Sequence, residues 1–122
     1  MHKECTIAPA NDMTIHLNDR DVVLTYDARA FHVLSTEFKP KDLMKIKSNV
    51  VLCGVYIYCA SKHNTPDITK EVAENIAFAL PVPKINEIIH DFSESIGGDE
   101  EEQKKTIEKM IGPLLKNYNL LN

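Results

Sequence analysis

VVLCGVYIYCASK, residues 50–62, is the stretch on which the fold turns. Its β-branched and aromatic residues also suit a strand. Its length does not, because the apolar run exceeds the roughly four to eight residues usual for a buried strand and shows no polar alternation. A helix that is apolar nearly all round has to be surrounded by other elements. The pattern therefore predicts a central, deeply buried helix, with Ser48 or Asn49 available to cap its first turn.

Upstream, Met13, Ile15 and Leu17 alternate, as do Val22, Leu24 and Tyr26, with the turn-forming NDRD between them. This reads as a β-hairpin over 13–26, preceded by a flexible polar lead-in at 1–12. A lone hairpin is marginal, so its apolar face must rest on helices. Asp27 is placed to cap a helix running to about Phe38, with Phe31, Leu34 and Phe38 on one face. Lys39-Pro40 ends that helix, and a short one follows in KDLMKIK.

Downstream, HNTPD forms a loop and Thr69 caps the helix TKEVAENIAFAL. Val72, Ala73, Ile76, Ala77 and Leu80 make its apolar stripe, while Phe78 falls off it. PVP at 81–83 breaks the pattern. Ile85, Ile88, Ile89, Phe92 and Ile96 then recur at helical spacing up to Gly97-Gly98. Acidic residues at 99–102 favour the positive end of a last helix, whose stripe is Ile107, Met110, Ile111, Leu114, Leu115 and Tyr118. Gly112-Pro113 must kink or split it. The expected architecture is mainly α: a single small helical bundle over 13–122 with an N-terminal β-hairpin.

Composition narrows the function. A chain of 122 residues with 43% hydrophobic and 26% charged residues is an ordinary globular domain. A net charge of −4 lacks the basic face a nucleic-acid binder needs. No uncharged run is long enough to span a membrane, and MHKECTIAPANDM has no apolar core of a secretory signal. Three cysteines without framework spacing fit a reducing compartment such as the cytoplasm.

The chemical constellations are weak. Cys59 and His63 are four residues apart and share a helix face. Cys53 lies about 240° round the helix from Cys59 and so on another face. Structural zinc sites need four ligands and tight cysteine pairs, and His16, His32 and His90 would have to be supplied by the fold. The simpler reading makes Cys53 and Cys59 small hydrophobes in a buried helix, with His63 near that helix's C-terminus. There is no redox C-x-x-C, no Gly-rich phosphate loop and no local signature of a nucleophilic triad. Carboxylate pairs such as Glu71 with Glu74 suit solvated helix turns. No catalytic residue, cofactor or metal is expected, and the chain reads as a non-enzyme. What remains is apolar surface: the stripe Ile107, Met110, Ile111, Leu114 and Leu115, which is either the last face of the core or a docking surface, and the aromatic residues Tyr56, Tyr58 and Phe78.

Over roughly residues 13–96, the order of elements and the segments YDARAFHVL, CASKHNTPDIT and TKEVAENI resemble the tail assembly chaperones of long-tailed bacteriophages and prophages. That family pairs an apolar helix ending near a histidine with a proline loop and a Thr-Glu-Glu-Val-like helix start, echoed by Tyr58 to His63, Pro66 and Thr69 to Val72. Gly54 lies earlier than the family glycine, and Ala60-Ser61 stand where a Gly-Leu pair is common. The resemblance implies a non-enzymatic protein of the host cytoplasm that binds the tape measure protein, keeps it soluble and helps tail tube protein polymerise round it. It also implies self-association into a homo-oligomer. The alternatives are a small cytoplasmic adaptor or regulatory module that binds another helical protein, and a small metal-dependent or enzymatic domain using Cys59 and His63.

Overall fold

The computed structural model describes residues 11–97. The order is β1 (Asn11–His16), β2 (Asp21–Tyr26), α1 (Ala28–Glu37), α2 (Pro40–Met44), α3 (Asn49–Ser61), α4 (Lys70–Ala79) and α5 (Val82–Gly97). The chain is mainly helical with an N-terminal antiparallel hairpin, as the sequence pattern requires. The lead-in up to residue 10 and the stripe from Ile107 to Tyr118 lie outside the described residues.

β1 begins at Asn11, two residues before the expected Met13, because Asn11 pairs with Tyr26 and the ladder runs the full length of β2. The Leu17 N–H closes the turn on the Arg20 carbonyl at 2.8 Å. Ile15, Val22, Leu24 and Tyr26 turn one face of the hairpin into the core, where α3 covers β2.

Two predicted caps form. The Asp27 carboxylate accepts from the Arg29 N–H at 2.9 Å, and the Thr69 hydroxyl accepts from the Val72 N–H at 3.1 Å. Each satisfies an orphan donor of a first helical turn. The cap expected for α3 differs. Ser48 occupies the N-cap position in extended conformation, but its side chain makes no capping bond. That helix is held by burial instead.

PVP acts at both ends of a corner. Leu80 ends α4 in extended conformation. α5 starts at Val82, earlier than its isoleucine pattern suggests, with Pro83 inside its first turn. A proline is tolerated there because the first-turn N–H groups have no partner within the helix. The Pro81 carbonyl accepts from the N–H groups of Lys84 and Ile85.

α3 lies at the centre, touching α1, α4, α5 and β2. Every residue from Tyr56 to Ser61 is buried, as are Cys53 and Gly54. Gly54 sets the spacing to α4, since a Cβ placed there would come within 2.9 Å of the Glu74 Cα. The Tyr26 hydroxyl is the one buried side-chain polar atom among the described residues without a hydrogen-bond partner. Its ring packs edge-on against Phe92, with centroids 6.5 Å apart.

Two substitutions test this packing. Gly54→Ala gains about 1 kcal/mol of helix propensity but forces α3 and α4 apart, an overpacking penalty of roughly 1–3 kcal/mol. A net loss of folding stability in urea denaturation is expected, with a larger loss for Gly54→Val. An unchanged or raised midpoint for the alanine variant would mean that α4 is not seated so closely. Tyr26→Phe removes an unsatisfied buried hydroxyl and should be neutral or stabilising by up to about 1 kcal/mol. A loss larger than that would show that the hydroxyl has a partner.

Candidate partner-binding surface

The side chains with chemical or contact potential fall into three groups. The first is the set of thiols. Cys53 and Cys59 are free and buried in α3. Burial pushes the Cys53 thiol up to about 11 and raises Cys59 further. For Cys59 the neighbouring Glu37 carboxylate adds to desolvation. Thiols held protonated are poor nucleophiles and poor metal ligands. His63 is exposed, and its Nε2 lies 2.6 Å from the Arg29 Nη1, so the imidazole is engaged with α1 rather than with Cys59. Cys5 lies outside the described residues.

The aromatic residues form the second group. Tyr56 and Tyr58 are only 8% and 4% exposed, so their area is used inside the core. Tyr56 stacks on Phe92 with centroids 4.1 Å apart and planes at 8°. Tyr58 donates its hydroxyl to the Glu37 carboxylate at 2.5 Å and meets the Phe38 ring edge-on at 5.8 Å. Desolvation, followed by that bond to a carboxylate, pushes the phenol up to about 12. Lys70 completes this junction, donating to the Glu37 carbonyl at 3.0 Å with its ammonium 4.5 Å from the centre of the Phe38 ring. Sequence alone could not turn these two tyrosines inward, because an all-apolar helix has no outward face to assign.

Phe78 is the exception. It is 63% exposed at the end of α4, and Val82 is 66% exposed at the start of α5. Between and beside them, Ala79, Pro81 and Pro83 are also exposed, while Leu80 is half-buried. Residues 78–83, FALPVP, thus place six apolar residues in succession on one corner. Single exposed apolar residues are ordinary, but contiguous ones mark contact surfaces. Phe78 was legible from its position off the helix stripe. Val82 was not, because it read as part of a helix breaker.

Potential ligating side chains form a third group. His90, Asp91 and Glu94 place one donor atom each within 4.8 Å of one another on α5. His90 Nε2 already lies 3.3 Å from Glu94 Oε1, as an exposed i,i+4 pair. Asp91 is raised by desolvation and by the neighbouring Glu87 carboxylate. This is the polar face of an amphipathic helix, and no fourth donor joins it among the described residues. No helix among the described residues is long and apolar enough to cross a membrane.

Comparison with protein families, with curated proteins and with solved structures finds no match. The case for function therefore rests on the residues themselves.

The buried thiols give a direct test. In a Cys5→Ser variant, Cys53 and Cys59 should resist an aromatic disulfide reagent at mildly alkaline pH and react only as the protein unfolds. Rapid labelling of the native protein would place at least one thiol at the surface and reopen a chemical role for α3.

Proposed function

We propose that this protein is a non-enzymatic assembly chaperone of the phage-tail kind, acting in the host cytoplasm. It binds the helix-rich tape measure protein, keeps it soluble and assists polymerisation of tail tube protein, working as a homo-oligomer. The observation that carries the reading is the apolar corner at 78–83, centred on exposed Phe78 and Val82. A chaperone for a long apolar helix needs a covering surface of this kind, and no chemical step. The resemblance of residues 13–96 to tail assembly chaperones names the partner class.

The physics favours many modest contacts over one strong one. Burying a large apolar side chain contributes roughly 1.5–3 kcal/mol, which alone gives weak binding once the entropy of association is subtracted. Several copies arrayed along one long partner would raise the overall avidity without any new contact. Self-association through a head-to-tail contact would supply such an array. The stripe Ile107, Met110, Ile111, Leu114 and Leu115, which by its pattern is either core or docking surface, lies outside the described residues.

Phe78→Asp combined with Val82→Asp tests the reading. Both side chains are exposed, so folding stability should change by no more than about 0.5 kcal/mol per site. Co-expressed tape measure protein should lose most of its soluble yield, and its affinity should fall at least about tenfold. Full retention of binding by a folded double variant would remove the corner from the interface. Capture of a cellular regulator in place of tail proteins, from the source cells, would favour the adaptor reading.

A further inference from the structure

A cleft of about 490 Å³ opens between the start of α1 and the end of α3, lined by Ala28, Arg29, His32, Val33, Lys62 and His63. Four of its six lining residues carry cationic or protonatable nitrogen, and none carries a carboxylate. That is unusual on a chain whose formal net charge is −4. The volume falls in the range of small-ligand clefts.

The decisive geometry is at Arg29. Asp27 Oδ2 accepts from its Nε at 3.0 Å and from its Nη2 at 2.7 Å, which fixes the plane of the guanidinium. The third nitrogen, Nη1, lies 2.6 Å from His63 Nε2. Arginine can only donate, so in this contact Nε2 is the acceptor and the imidazole is neutral with its proton on Nδ1. Lys62 is turned back, donating to the Pro66 and Ile68 carbonyls at 2.9 and 3.3 Å, so it contributes charge and its stem. The start of α1 is already capped by Asp27, so recognition here belongs to side chains.

We propose that this cleft binds an oxyanion, a phosphate-like or carboxylate group, and that binding is coupled to uptake of one proton by His63. Protonation removes the lone pair that Arg29 uses and sets two cations against each other. An oxyanion between them accepts from Arg29 Nη1 and from the new His63 Nε2–H. One arginine–imidazole hydrogen bond, in which only the donor is charged, is thereby replaced by two in which donor and acceptor are both charged. Asp27 holds the guanidinium in place throughout, acting as a positioning residue. Among the described residues, the charged and titratable groups facing His63 and Arg29 are Asp27, His32 and Lys62, with the Asp12 carboxylate also acting on Arg29. Asp12 and Asp27 offset the charges of Arg29 and Lys62, so the net attraction for an anion depends on the charge carried by the histidines. Histidine is the side chain that changes charge in this range.

The test uses sulfate, which keeps its charge across the range, with acetate as the carboxylate probe and chloride as the ionic-strength control. Imidazole resonances of His32 and His63 and the Arg29 Nε–H are followed by NMR at about pH 6 and about pH 8. Saturable shifts with sulfate, absent with chloride and about tenfold or more tighter at the lower pH, are the expected result. Equal response to both would make the cleft a general oxyanion site, response to acetate alone would assign it to carboxylates, and response to sulfate alone would assign it to phosphate-like groups. His63→Gln keeps an acceptor for Arg29 but cannot be protonated, so it should weaken binding and flatten its pH dependence. Identical shifts in chloride and sulfate would overturn the proposal, as would a full pH dependence surviving in His63→Gln.

Discussion

The close approach of α3 and α4 at Gly54 is the constraint on which the rest of the structure depends. With the Glu74 Cα only 2.9 Å from where a Cβ would stand, the two helices meet backbone to backbone at this point rather than side chain to side chain. This lets Ala73, Ile76 and Ala77 reach the core from a helix whose outer face is polar. The small residues of α4 matter for the same reason. Alanines at 73 and 77 leave room for α3, while Ile76 fills the space beside them. α5 and the hairpin then cover other sides of α3, through Phe92 on Tyr56 and through Val22 and Leu24. Without the glycine, α3 would have to tilt or move away, and close-packed interiors transmit such a shift to every neighbour.

The end of α3 shows how polar residues can follow a helix that is apolar nearly throughout. Ser61 is fully buried, and its hydroxyl returns to the Ile57 carbonyl at 2.6 Å, so it adds no unsatisfied group. Lys62 takes two loop carbonyls, and Asn64 donates to the Val23 carbonyl and the Thr25 hydroxyl at 3.1 and 2.8 Å. His63 meets Arg29. Three successive residues after Ser61 therefore tie the helix end to its own loop, to α1 and to the hairpin. A stretch resembling a metal or redox motif is better understood as the knot joining three elements. The partners of His63 and Asn64 lie 34 to 41 residues away in sequence, so local spacing carries no trace of them.

Much of the fold was legible because local rules and tertiary packing agree there. Asp27 and Thr69 cap as their chemistry demands, and the isoleucines of α5 bury on the face their spacing defines. Ser48 takes the N-cap position its chemistry suggests, but its side chain makes no capping bond and burial holds α3 without it. Contact residues were harder. An amphipathic helix declares its outer face, so Phe78 could be picked out from the stripe of α4. Tyr56 and Tyr58 sit on a helix with no such face, and only the positions of Phe92 and Glu37 decide that both point inward. The Arg29–His63 contact was invisible for a further reason: it needs the relative placement of two helices, which no periodicity encodes.

The exposed corner at 78–83 is suited to contact by its rigidity as much as by its composition. Pro81 and Pro83 fix their own φ angles, and Leu80 is half-buried. α4 and α5 hold the two sides through buried Ala77 and Ile85. Phe78 and Val82 are therefore presented from a scaffold that has little conformational freedom to lose. Association costs less when the contacting side chains are already ordered, so a small apolar corner can bind better than its area alone implies. The same rigidity argues against a site that reshapes itself for many partners. Under the proposed chaperone role, a fixed corner on a small acidic module would suit a partner with a recurring apolar surface, and a long amphipathic helix is the simplest chain that repeats one at regular intervals.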